Sequence, residues 1–298
     1  VRDSFSSYHP AINFFYFASV ILFSMFFMHP VLLLISLVSS MAYSILLNGK
    51  KAVKFNFLYL IPAMIVICIA NPAFNHEGAT ILVYINDNPI TVESICYGVA
   101  AAVMFGSVIL WFSCYNAVMT SDKFIYLFGR VIPALSLVFS MVLRFVPKLK
   151  AQIRVISQAQ KCIGRDVANG NLMQRAQNGI KILSILTTWS LENAIETADS
   201  MRSRGYGLKG RTSFSLFRFD RRDGAALAVL AALFLLVCGG AILGENNIRY
   251  FPTIAITEIT AFSLVVYAAY AGLCLLPVIL EIWEGIKWRN LRLSRSGI

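Results

Sequence analysis

Apolar residues come in blocks of near-bilayer length, separated by short polar punctuation. Residues 11–27 and 31–47 are two such runs, interrupted by Met28-His29-Pro30. A helix rises about 1.5 Å per residue and the hydrocarbon layer is about 30 Å thick. With its flanking residues each run therefore predicts one span, and the pair predicts a hairpin turning at Pro30. A third span is predicted over 55–70, carrying Pro62 inside it and ended by Asn71-Pro72. Residues 94–120 give a fourth, 224–243 a fifth and 254–280 a sixth, the last two joined by a short loop with Glu245 and Arg249. Between the third and fourth spans, β-branched residues over 80–85, the turn-like Asn86-Asp87-Asn88-Pro89 and the run Ile90-Thr91-Val92 predict a short β-hairpin.

The middle of the chain follows another pattern. Residues 131–146 are apolar but short for a crossing, and are expected to lie on or partly in the inner leaflet, or beneath the spans. Pro147, suited to a first helical turn, predicts a new amphipathic helix. Leu149, Ile153, Ile156 and Ile163 share one stripe, with Lys148, Lys150, Arg154 and Lys161 off it, and Gly164 ends it. Asn169-Gly170-Asn171 reads as a turn, and a second helix opens near Leu172 with Ile180, Leu183, Leu186 and Trp189 as its apolar core. Glu192, Glu196 and Asp199 precede Arg202 and Arg204, and Gly205 follows, as the helix dipole and a glycine cap favour. Ala194 and Ala198 offer small contact positions on that helix.

Composition places these blocks in a bilayer. Hydrophobic residues make up 58% of 298 positions and charged residues 14%, where soluble domains hold about 45–50% and about 25%. The net charge of +11 is unevenly spread. Of 26 Lys and Arg, 17 lie between Lys123 and Arg222, four before residue 55 and four after residue 285, leaving Arg249 alone. Loop 71–92 has none. Six spans with both termini cytoplasmic put every basic residue except Arg249 inside, as the positive-inside rule requires. No small-residue cleavage site follows the first apolar run, which reads as a retained span.

The chain carries little that suggests chemistry of its own. Five of its six cysteines sit in apolar runs and none forms a CxxC, so they read as small buried hydrophobes. His9, His29 and His76 are far apart, and no metal or cofactor site is expected. Walker A, GxSxG and HExxH motifs are absent, and so are RRM, KH and zinc-finger signatures, which argues against an enzyme and against nucleic-acid binding. For the basic helices two readings remain. One is an interfacial pair lying against lipid; the other is a docking platform for soluble partners.

Leu143-Arg144-Phe145-Val146-Pro147, Ala159-Gln160-Lys161 and the run Ala198-Asp199-Ser200-Met201-Arg202-Ser203-Arg204-Gly205-Tyr206-Gly207 resemble the transmembrane T component of energy-coupling factor (ECF) transporters, the EcfT/CbiQ-like family. His9-Pro10 and the apolar hairpin after it are similar as well. The resemblance implies an all-α polytopic membrane protein of about six transmembrane helices with a cytoplasmic or interfacial coupling-helix domain. Its parts are a four-span region over 1–120, coupling helices over 121–223 and a two-span region with a basic tail over 224–298. It implies a subunit in the cell membrane of an ABC-class importer of vitamins or trace metals. ATP-driven motion would pass from two ATPase subunits to a small membrane-embedded substrate-binding S component, without catalysis by this chain. In the family, two coupling helices each end in an Ala-Arg-Gly-like motif whose Arg enters an ATPase groove. Ser203, Arg204 and Gly205 match the second motif. The first departs, with Ile163 where the family has Arg, inside Cys162-Ile163-Gly164 and flanked by Lys161 and Arg165. This end therefore docks through one of those cations or through apolar contact, and the asymmetry implies two non-identical ATPases. The alternative is a conventional ABC permease subunit that forms its own substrate pathway; no charged residue sits mid-span to line one.

Overall fold

The computed structural model describes residues 4–85, 88–129, 133–168, 170–208, 217–244, 246–257 and 260–295. The chain divides into two compact units, Val1–Lys123 with Phe217–Ile298, and Phe124–Leu216.

The first unit is a helical bundle. After a single 3-10 turn, Phe5–Ser7, come α1 (Pro10–Phe26) and α2 (Pro30–Asn48). Each opens with Pro at its first position, where the missing N–H costs nothing. A continuous helical stretch follows as α3 (Lys50–Phe55), a π turn (Asn56–Leu60) and α4 (Ile61–Phe74). Strands β1 (Ile81–Ile85) and β2 (Asn88–Thr91) form the antiparallel hairpin, whose expected turn residues Asn86 and Asp87 lie outside the described residues. The bundle continues with α5 (Val92–Val118), and α6 (Ser121–Gly129) begins here and runs on into the second unit. It resumes with α9 (Arg221–Ile242), the two-residue strands β3 (Ile248–Arg249) and β4 (Ala255–Ile256), and α10 (Ala261–Arg295). Among the described residues five helical stretches are long and apolar enough to cross a membrane, and α1, at 17 residues, is a shorter apolar helix. The chain is thus an all-α, multi-pass membrane protein.

Aromatic residues dominate the bundle core. Tyr16, Phe17, Tyr43, Trp111 and Tyr270 are fully buried, with Phe17 lying edge-on to Tyr115 at 5.7 Å and to Tyr16 at 5.2 Å. Ser36, Ser40 and Ser44 line one face of α2, four residues apart, and small side chains there let neighbouring helices close in. Trp111 Nε1 donates to Ser36 Oγ at 3.0 Å. Ser36 Oγ pairs with Ser24 Oγ at 2.6 Å, which in turn lies 3.2 Å from Tyr270 Oη. One polar chain thereby joins α5, α2, α1 and α10 inside an apolar bundle.

Several boundaries differ from the sequence expectation. Pro72 does not end the third span, which runs on to Phe74. Its missing N–H leaves the Cys68 carbonyl without its helical donor. A Cβ on Gly98 of α5 would lie 2.8 Å from that same carbonyl oxygen, so the freed group sits where α5 makes its closest approach. The helical stretch also starts earlier than expected, at Lys50. Residue 254 lies before β4 rather than in a span, and α10 begins at Ala261, where Ser263 Oγ accepts from Thr260 N at 2.8 Å. Glu245 lies outside the described residues.

The second unit contains α7 (Pro133–Cys162) and α8 (Leu172–Ser203). Here the expected break at Pro147 is overturned, because α7 is one helix with Pro147 inside it. Contacts on both sides of the proline carry the helix through. Phe145 stacks on Trp189 with ring centroids 6.2 Å apart, and Lys148 donates to Asn193 Oδ1 and lies over the Trp189 ring at 5.2 Å. Residues 131 and 132 of the expected apolar run lie outside the described residues.

Candidate docking site

Both long helices of the second unit end in the same hydrogen-bonded turn. At the end of α7, Arg165 N donates to Gln160 O at 2.9 Å and Gly164 N to Lys161 O at 3.0 Å. At the end of α8, Tyr206 N donates to Met201 O and Gly205 N to Arg202 O, each at 3.0 Å. These paired bonds, closed by a left-handed residue, define the Schellman cap. Gly164 has φ +77° and Gly205 φ +80°, a conformation glycine adopts without the Cβ penalty.

Superposing the two caps by their hydrogen bonds aligns Gly164 with Gly205, Ile163 with Arg204, Cys162 with Ser203 and Lys161 with Arg202. Ile163, which the resemblance set where the family has Arg, and Arg204 hold the same place in two like caps. Ile163 is 61% exposed, and Arg204 is exposed. Among the described residues the Arg204 guanidinium makes no hydrogen bond or ion pair, and the carbonyls of its helix end are met by the backbone of Gly205 and Tyr206. The cap does not need the charge.

The flanking cations differ. Lys161 Nζ lies 3.6 Å from Asp166 Oδ2. Asp166 Oδ1 accepts from Ala168 N at 3.0 Å, and this bond, followed by the Lys161 charge, holds its carboxyl below the ordinary value. Arg165 is exposed and, among the described residues, only its backbone is engaged. The turn after α7 is fastened to the start of α8, with Arg175 Nε donating to Val167 O at 2.8 Å and Asn178 Nδ2 to Asp166 O at 3.1 Å. Asn171 and Gln174 form a capping box there. The first motif thus lies near the beginning of α8 and the second at its end, and α8 itself is 32 residues or roughly 48 Å long.

Much of this unit's apolar surface is uncovered. Among its described residues only Ile156 and Ile182 are buried hydrophobics. The expected core stripe is corrected accordingly. Ile153, Ile180 and Leu183 are exposed, Leu186 and Trp189 are half-buried, and Ile182, which was not in the stripe, is the residue that faces inward. Ala194 and Ala198 are exposed too. So much exposed apolar area marks a surface that is covered in use.

Sequence reasoning passed over Lys123, Arg222 and Asp223, each of which meets the segment ahead of α1 in the first unit. The local signal for the last was the Asp220-x-x-Asp223 spacing, which forms a capping box at the start of α9.

The family described as "CbiQ: Cobalt transport protein" matches residues 4–214. The chain is 38% identical over 107 residues to a protein of Lacticaseibacillus paracasei named "Energy-coupling factor transporter transmembrane protein EcfT", covering 35% of this chain and 40% of the relative. Proteins of the same name from Lactobacillus helveticus (38% over 112 residues, 37% and 39% covered) and Brevibacillus brevis (35% over 112 residues, 37% and 42% covered) are similar to it as well. The chain thus spans about two fifths of the length of the relatives it matches.

Proposed function

The chain belongs to the CbiQ family, and from that membership we propose that it works as the transmembrane T component of an ECF-type ABC importer. In this reading residues 121–223 form the coupling part between membrane parts over 1–120 and 224–298. Two ATPase subunits dock at the two capped helix ends, and ATP is hydrolysed on them rather than on this chain. A small membrane S component, which selects the vitamin or trace metal, covers exposed apolar surface of the coupling helices. Both termini and the coupling helices face the cytosol.

The observation that carries the reading is the pair of matched caps at opposite ends of α8, one presenting Arg204 and the other Ile163. Two equivalent, separated and exposed ends suit two docking partners better than one composite site. Arg offers a rigid fork of donors for carboxylates and carbonyls and often anchors interfaces. Lys161 is already matched with Asp166, which leaves Arg165 and Ile163 at the first end, and we assign the contact to Ile163 because it holds the cap position of Arg204. That choice makes the two ATPases non-identical, one with a polar socket for Arg204 and one with an apolar socket for Ile163.

Co-purification tests this directly. The full chain is expressed with the two ATPases and the S protein, and Arg204→Ala is compared with the unsubstituted chain. The expected result is loss of one ATPase with the membrane part still folded. Assembly that is unchanged by Arg204→Ala sinks the assignment.

A further inference from the structure

The chain enters the second unit directly after Lys123 and returns from it at Phe217. Both roots are fastened to the same six residues, 4–9, ahead of α1. Lys123 is buried, and its Nζ donates to Ser6 O at 2.6 Å, to Ser6 Oγ at 2.8 Å and to the carbonyl of Val118, the last residue of α5, at 3.0 Å. On the returning side Asp223 Oδ1 accepts from His9 N at 3.3 Å, and the His9 ring lies 5.4 Å from that of Phe219. Arg222 donates to Ser7 Oγ at 2.7 Å, covers the Tyr8 ring at 4.1 Å and pairs with Glu284 of α10 at 3.4 Å. Glu281 of α10 accepts from Ser4 N at 2.8 Å. The segment is itself rooted in the core, with Phe5 fully buried and edge-on to Tyr16 at 5.0 Å.

We propose that residues 4–9 are the anchor through which movement of the inserted helices reaches the bundle, with Lys123 and Arg222 as its positioning residues. The proposal rests on the T-component reading for its purpose, but not for its geometry. A lever transmits force only if its root does not fray. An ammonium with three donors directed to two chain segments is a strong local tie, and a guanidinium held by a hydroxyl, a ring and a carboxylate adds a second, more exposed one. Burial makes the first of them costly to break, because the Val118 carbonyl it satisfies is shielded from water. Since α5, α9 and α10 all contribute partners, a pull on either root is shared among three spans.

The test is hydrogen exchange on the full chain in lipid nanodiscs, read at 4–9, 121–125 and 219–224. Lys123→Met is expected to speed exchange at least tenfold at 219–224 as well as at 4–9. Arg222→Gln is expected to do the same at 121–125. Lys123→Arg, which keeps the cation, restores most of the protection. Ser6→Ala, which keeps the carbonyl acceptor, gives a milder variant with the same pattern if Lys123→Met fails to fold. Changes confined to the neighbours of each substituted residue overturn the anchor. With the two ATPases bound, switching ADP for ATP should alter exchange in α1 and α10 of the unsubstituted chain, and the variants should lose that response while keeping the ATPases. A response that persists in the variants also overturns it. An unsubstituted chain that retains no ATPase sinks the T-component reading instead, while the cross-talk between the two roots is still read on the chain alone.

Discussion

Ile163 and Arg204 occupy one position in two copies of a helix-ending turn, and their chemistries could hardly differ more. An exposed isoleucine gains by leaving water, by about 1.5–3 kcal/mol if fully buried, whereas a guanidinium gains by finding oriented acceptors. Ile163→Asp should therefore weaken docking at the first end by at least tenfold and leave the second end intact, as titration of each purified ATPase against the full chain would reveal. Equal loss at both ends, or at neither, would contradict separate sockets. Asp166 adds a pH signature to the same turn. Its carboxyl is held below the ordinary value of 3.8 by the bond from Ala168 N–H and by Lys161. A depressed folded value stabilises fully above the unfolded one and is lost as pH falls through the folded one. Protection of the Ala168 amide should hold from pH 7 to about 4 and fall below that, while Asp166→Asn should reduce it above about pH 4 and remove the pH dependence.

Among the helices, α4 and α5 meet backbone to backbone at Gly98. A side chain at Gly98 would meet the Cys68 carbonyl at 2.8 Å and Asn71 Cβ at 3.2 Å, and backbone cannot swing away as a side-chain tip can. Gly98→Leu should separate the two helices and cost about 1–3 kcal/mol or more, visible as a lower unfolding midpoint in detergent. Gly239 of α9 has nothing within 4 Å of the corresponding position. Gly239→Ala should be neutral or gain up to about 1 kcal/mol of helix propensity. The sequence announced both glycines equally; only packing distinguishes them. The prolines show the same limit. Pro30 lies at a helix start, as its local chemistry suggests, but Pro72 and Pro147 lie inside helices. The energy that outweighs each lost backbone bond comes from a neighbouring helix, which no local pattern reveals.

For the molecule in its membrane, the distribution of charge predicts sidedness. Single cysteines placed at Lys150 and at Glu77, in a background with the native cysteines replaced, should react with an impermeant thiol reagent from opposite faces, Lys150 from the cytosolic side. Reaction of both from one face would contradict the proposed topology, and Lys150 reacting from the outside would reverse it. Apolar run lengths, the basic middle segment, the β-hairpin and the glycine caps were all legible along the chain, because each is written over a few turns of helix or a few residues of strand. The correspondence of Ile163 with Arg204 was legible only through the resemblance to the EcfT/CbiQ-like family, which supplies an Arg at that place. The meeting of Ser4 with Glu281, 277 positions away, and of His9 with Asp223, 214 positions away, was not. Nor were the inward turn of Ile182 and the passage of α7 through Pro147. Periodicity constrains what lies on one face of one element, while these features depend on which faces meet, and that is settled by the packing of distant segments against one another.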